Sequence, residues 1–282
     1  MRAQILTQPG ARAIASRENP HWREVVQCAE SARERRKRGL SFLEGEHLCE
    51  AWLSHVGAPH LVVVADAALA SPACSRLIQR GQALRAGLPV LVVEDRMWRE
   101  LSHLVQGESL AFLVPTPRPV LPERIDEDLI YLDRLQDPGN VGSILRSAVG
   151  AGIRSVVTAP GTVWVWSPKV LRAAMGAHFP LQIYEGVPWA TLRDRSQLAT
   201  YATRRLEAEP IWSVDLCPPA IWLFGNEGQG IDPSLAGSLV RWLAIPQDDA
   251  VESLNVAAAA AVCLFEQRRQ RQVKLLERAD FL

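Results

Sequence analysis

Three loops in this chain carry more polar chemistry than a connection needs. In LDRLQDPGNVGSILRSAVGAG, residues 132–152, a DPGN turn follows a strand-like run, and Asn140 stands where it can cap the next helix. Arg146 lies six residues further on, placed to aim a guanidinium at a polyanion or into a cleft. In WLFGNEGQGI, residues 222–231, three glycines surround Asn226 and Glu227 directly after a strong strand, so backbone N–H and C=O groups can face a cofactor. The spacing is neither the GxxxxGK[ST] of a phosphate-binding loop nor the GxGxxG of a dinucleotide site. In IPQDDAVESLNVAAAAAVCLFE, residues 245–266, Glu252, Ser253 and Asn255 crowd the start of an almost wholly apolar helix. Ser253 or Asn255 can satisfy the free N–H groups there, and a helix fixed by apolar packing gives a small polar site rigid backing. Each loop alone also has a plainer reading: a capped surface helix, a sheet-edge turn, a simple helix cap.

The elements that must position these loops alternate. DLIYLD, RSVVTA, FPLQIYE, AIWLFG and RWLAIP read as five strands, and helical patterns begin near Val141, Lys169, Trp189, Pro233 and Leu254. This alternation predicts a mostly parallel sheet covered by helices. Upstream, one polar helix is expected over 20–38, then a strand and helix in SFLEGEHLCEAWL. HLVVVADA, LPVLVVED and SLAFLVP follow as strands, separated by the helical SRLIQRGQALRAG and DRMWRELSHL. The expected organisation is a small α/β domain over 1–114, a linker at 115–124 with four prolines, and a second domain over 125–282.

With 48% apolar residues the chain can bury two cores, and 31 basic against 31 acidic side chains leave no net charge. Nucleic-acid binding therefore has to rest on a local patch. RERRKR at 33–38 is the candidate, with Arg33, Arg35, Arg36, Lys37 and Arg38 as phosphate contacts; a solvated charge run is the alternative. Cysteines 28, 49, 74, 217 and 263 form no CxxC, and the six histidines, His103 among them, form no HExxH or HxH, so no metal site is expected. The opening residues lack the apolar run of a signal peptide, and the cytoplasm is the expected compartment.

DPGNVGSILRSA, LFGNEGQGI and IPQDDAVESLNVAAAAAVCLFE, in this order, resemble the three motifs of the TrmH/SpoU family of RNA ribose 2'-O-methyltransferases. The resemblance implies a SPOUT α/β-knot with a deep trefoil knot, which ordinary topology rules would disfavour. It also implies S-adenosyl-L-methionine as cofactor and a homodimer formed through the knot domain. The upstream region is similar to the family's smaller N-terminal L30e-like RNA-binding extension. Methylation of a ribose 2'-hydroxyl in RNA, 23S or other ribosomal RNA, is the implied reaction. The alternatives are a tRNA enzyme, a methyltransferase of nucleobases or small molecules, and a non-catalytic RNA-binding or ribosome-assembly protein with the same fold.

By this resemblance Arg146, Asn140, Glu227, Ser253 and Asn255 form the catalytic set. Leu223, Phe224, Gly225, Asn226, Gly230, Ile245, Pro246, Ser253 and Leu254 form the cofactor cradle, and Arg172 joins the RNA contacts. A guanidinium is too weak an acid to be an ordinary base, so Arg146 is expected to stabilise a developing alkoxide or hold a phosphate, with a local base role as the alternative. Glu227 is expected to orient Arg146 or a loop amide. One departure stands out: SPKVLRAAMGAHF carries Ala174 where the family places a small hydroxyl residue.

Overall fold

Runs of Val, Ile, Leu and Ala bounded by turns, such as VLVV and LVVVA, are buried on both faces, as strands between helix layers must be. The computed structural model describes residues 5–102, 109–235 and 240–279, and His103 lies outside them. The chain divides into two units, one comprising residues up to Pro117 together with Trp166–Phe179, the other Arg118–Val165 and Pro180 onward.

The first unit contains β1 (Ala11–Ile14), α1 (Pro20–Glu30), α2 (Ala32–Arg38), β2 (Leu40–Glu44), α3 (Glu46–His55), β3 (Leu61–Ala65), α4 (Pro72–Leu84), β4 (Val90–Val93), α5 (Asp95–Leu101) and β5 (Leu110–Pro115). Its sheet order is β1-β4-β3-β5-β2, with β5 antiparallel to both neighbours. Trp22, Phe42, Val63, Leu91 and Trp98 fill one core face. The single helix expected over 20–38 is two. Ser31 adopts an extended conformation, and its hydroxyl accepts from Glu34 N–H, so it ends α1 and caps α2. Segment 166–179 packs here: Phe179 meets Trp52 edge-on at 5.4 Å, and His47 Nε2 lies 3.1 Å from the Met175 carbonyl.

The second unit is built from β6 (Leu129–Leu132), α6 (Pro138–Ala151), β7 (Ser155–Thr158), β8 (Gln182–Tyr184), α8 (Trp189–Arg193), β9 (Ala199–Thr203), β10 (Glu209–Pro210), β11 (Ala220–Phe224), β12 (Val240–Ala244) and α9 (Val256–Ala279); α7 (Pro168–Ala174) lies in the β7–β8 connection. Strand order is β10-β12-β9-β11-β6-β7-β8, every pairing parallel. Two strands were not expected. ATYAT has no apolar run, yet β9 is central, with Thr200 and Ala202 buried. The helix expected from Pro233 is a turn over 233–235, and 236–239 lie outside the described residues.

Register decides where chemistry can occur. Phe224 pairs with Leu132, Leu223 with Ala202, and Leu243 with Thr203. The loops after β6, β9, β11 and β12 therefore leave the sheet at one carboxyl edge, where open α/β sheets bind ligands. α9 starts at this edge, and a polar cluster pins its body at the opposite, amino edge, where β6 and β11 begin. Trp222 Nε1 donates to Gln267 Oε1 at 2.9 Å, Gln267 Nε2 donates to Asp128, and Arg271 donates to Asp128 and to the Cys217 and Pro218 carbonyls. Among the described residues no helix is long and apolar enough to cross a membrane.

Candidate active site

α6 starts at an aspartate–proline pair. Asp137 is extended, its carboxylate accepts from Asn140 N–H at 2.7 Å, and Pro138 occupies the first helical position, where no N–H is needed. Asn140 is therefore not the cap that the DPGN turn suggested. Its side chain is left free to reach sideways: Nδ2 donates to Glu227 Oε1 at 3.0 Å, and Oδ1 accepts from Asn255 Nδ2 at 2.9 Å. One asparagine thus joins all three loops.

Glu227 completes the joint through backbone amides rather than through Arg146. It accepts from Gln136 N–H and Asp137 N–H, both at 3.2 Å. Burial pushes its carboxyl upward, but the bonds from Asn140 and the two amides outweigh this and hold it below the usual carboxylate range. A carboxyl depressed on folding stabilises the joined loops above the ordinary range, and that contribution is lost as pH falls through the depressed value. The joint should therefore loosen, and stability fall, on acidification below the ordinary carboxylate range. Glu227→Gln, which has only one accepting side-chain atom, should be less stable at neutral pH and lose this acid limb. Thermal unfolding across that range would show it, and superimposable profiles would contradict it.

Asn255 both caps and connects: its Oδ1 accepts from Ala257 N–H at 2.8 Å and Ala258 N–H at 3.3 Å at the start of α9, while its Nδ2 reaches Asn140. Asn226 has a similar double role. Its Oδ1 accepts from Gly228 and Gln229 N–H, and its Nδ2 donates to the Arg134 carbonyl. Arg134 holds a positive φ of 54°, uncommon for a side chain of this size, and is fixed there by paired donation to buried Asp133 at 3.0 and 3.1 Å. Asp133 Oδ2 also accepts from Asp232 N–H. The sequence reading missed this pair, although LDR directly after a strand was its visible signal.

Beside the joint lies a cavity of about 650 Å³, in the range of small-molecule sites. Leu223, Phe224, Gly225, Asn226, Gly230, Ile245, Ser253 and Leu254 line it, with Glu227 and Asn255. Pro246 is exposed and does not line it; Gln247 does. Thr203, Arg204, Arg205 and Trp242 add a wall that the sequence reading missed, the first three because β9 was not recognised.

Arg146 is not part of this lining. It stands exposed on α6 and has no hydrogen bond or ion pair among the described residues. Of the basic run, Arg33, Arg36 and Lys37 are exposed. Arg35 is a correction: it is 5% exposed and donates to the Cys28 and Ala29 carbonyls at the end of α1. Arg38 is exposed too, but donates to Glu24 and Gln27 and pairs with Glu34. Arg172 is half-buried, with Nη1 shielded and without a partner among the described residues. Ala174 is fully buried in α7, where it presents no group to a ligand. No group of three metal-ligating side chains occurs among the described residues.

Known proteins resemble this chain in sequence and in fold. The SpoU rRNA Methylase family pattern matches residues 128–265. An uncharacterized tRNA/rRNA methyltransferase of Synechocystis is 32% identical over 92% of this chain and 94% of its own. The 23S rRNA (guanosine(2553)-2'-O)-methyltransferase RlmP of Bacillus subtilis is 27% identical over 84% of this chain and 91% of its own. Among solved structures, an RNA 2'-O ribose methyltransferase superposes with a TM-score of 0.74 at 26% identity, covering 93% of this chain and all of that one. The AdoMet-bound rRNA methyltransferase of Sinorhizobium meliloti shares the fold with a TM-score of 0.79 at 24% identity, over 92% and 98% of the two chains. The two-unit α/β architecture, the parallel-sheet second unit and the likeness along nearly the whole length of the Synechocystis protein together place this chain in the SpoU rRNA Methylase family.

Proposed function

We propose that this protein transfers a methyl group from S-adenosyl-L-methionine to a ribose 2'-hydroxyl of RNA, with ribosomal RNA as the substrate class. The observation that carries this reading is the Glu227–Asn140–Asn255 joint, which binds three loops together beside a cavity at the carboxyl edge of a parallel sheet.

The cavity suits the cofactor. Residues of the 225–231 loop line part of it, and Gly225 presses so closely on Gly230 and Ile231 that no side chain fits there. Leu223, Gly225 and Leu254 are assigned to hold it through main-chain groups, with Phe224, Ile245 and Ile231 as apolar wall. The bound cofactor supplies an electrophilic methyl group on a sulfonium. The chain's own residues have to align the ribose oxygen with that methyl and exclude water. Asn140 and Asn255 fix the loops assigned to the ribose site, and Ser253, which lines the cavity, is assigned to hydrogen-bond substrate. Arg146, exposed on the same helix as Asn140, is assigned to a phosphate or to the developing 2'-alkoxide, which a guanidinium stabilises without giving up its proton.

Arg33, Arg36 and Lys37 form the basic strip assigned to RNA phosphates. The assembly is read as a homodimer through the second unit, supported by the exposed apolar side chains Phe265, Val273, Leu275 and Leu276 along α9. Cytoplasmic residence is supported by five free cysteines, four of them buried.

Incubation with methyl-labelled S-adenosylmethionine and unmodified total rRNA or tRNA tests the reading. Label in rRNA is expected. Label in tRNA alone would overturn the substrate class, and cofactor binding with no transfer to either RNA or to ribosomal precursor particles would favour the non-catalytic alternative.

A further inference from the structure

The loop after β12 forms one wall of the cavity, yet little of it is held by packing. Residues 248–255 are exposed throughout, and Ile245, Gln247, Ser253, Leu254 and Asn255 face the cavity. At its far end the loop is tied through Asn255 to Asn140. Within its middle, Gln247 Nε2 donates to the Val251 carbonyl and Ala250 N–H to Asp248, which shape the loop but fasten it to nothing else. Among the described residues, the bonds from another element to this middle stretch come from one side chain. Arg205 donates through Nη2 to Asp249 Oδ1 at 2.6 Å and through Nη1 to the Glu252 carbonyl at 3.3 Å.

Arg205 is well placed for this. It follows β9 by two residues and lines the same cavity. Its neighbour Arg204 is engaged elsewhere, its guanidinium 5.1 Å from the Trp242 ring centroid and donating to the Glu207 carbonyl. That stacking anchors the β9–β10 connection on β12, so Arg205 extends from a fixed base. We propose that Arg205 is a positioning residue that straps the 247–252 loop in place as a cavity wall and thereby sets how fast the cofactor leaves. This rests on the cofactor reading of the cavity.

The strap contributes little to global stability. Asp249 is 98% exposed, and an ion pair in that setting gains little net energy against screening and side-chain entropy. Its effect lies in restricting an otherwise unpacked segment, and segments with few apolar contacts open locally at small cost. A wall that opens more often releases ligand sooner, and affinity differences between close variants reside mostly in dissociation rates.

The test is stopped-flow dissociation of S-adenosylmethionine and S-adenosylhomocysteine from the full chain. Arg205→Ala should release both about tenfold faster, while its melting temperature stays within about 2 °C of the parent's. Arg205→Lys, able to reach Asp249 but not both acceptors, should be intermediate. Exchanging the charges, Arg205→Asp with Asp249→Arg, should recover part of the loss. Unchanged dissociation in Arg205→Ala despite tight binding by the parent would overturn this inference alone. Failure of the parent chain to bind either compound would overturn the cofactor reading and this inference with it.

Discussion

Replacing Arg146 with alanine should lower methyl transfer by roughly 10²–10³-fold while cofactor affinity stays within about twofold. The separation follows from where the side chain is. Arg146 is exposed on α6 and absent from the cavity lining, so truncating it removes no wall of the cofactor site and no described internal bond. The buried face of α6 is carried by Val141, Ile144, Leu145 and Ala148, so the helix does not need the guanidinium to pack. What is lost is a fixed cation for the RNA, and interactions that strengthen as charge develops act on turnover rather than on cofactor binding. Arg146→Lys should recover little, because an ammonium cannot reproduce two parallel donors. Single-turnover transfer beside calorimetric cofactor titration would measure both quantities. A parallel fall in the two would mean that Arg146 shapes the cavity instead.

Gly225→Ala should weaken cofactor binding by about 10–100-fold. A methyl there would stand 2.4 Å from the Ile231 nitrogen and 2.5 Å from the Gly230 carbonyl carbon, both backbone atoms that cannot swing away. The Asn226–Gly230 backbone pair, bonded in both directions at 3.0 and 2.8 Å, would have to open. Overpacking of this kind costs roughly 1–3 kcal/mol, and each 1.4 kcal/mol is tenfold in affinity. Gly228→Ala is the matched control, since its methyl would meet only Asn226 Oδ1 at an ordinary 3.7 Å. Equal affinity in the two variants would show that the 225–231 loop does not define the site.

The loops were legible in the sequence because their chemistry is local: glycines around GNEG, a proline turn before Asn140, polar residues ahead of an alanine-rich helix. The strands of the second unit with continuous apolar runs were legible for the same reason. β9 was not, because ATYAT is a strand only by virtue of β11 and β12 on either side of it. Losing β9 also hid Arg204 and Arg205 on the cavity wall. The role of Asn140 was misread for a subtler reason: Asp137 and Asn140 are both good caps, and only the backbone geometry at Asp137 decides between them. Arg35 reads as one more charge in RERRKR, while the turn at Ser31 directs it at the carbonyls ending α1. The grouping of Trp166–Phe179 with the first unit depends on Phe179 against Trp52 and on the close approach of Gly176 to Ala51, neither of which leaves a periodicity to read.

The central claim is that the methyl group arrives on a ribose oxygen, and alkaline hydrolysis of the labelled RNA tests it most directly. A 2'-O-methyl group removes the nucleophile that cleaves the adjacent phosphodiester, so the label should be recovered in an alkali-stable dinucleotide, and digestion to nucleosides should yield one 2'-O-methylated species. Label released in ordinary mononucleotides, carried on the base, would contradict the account.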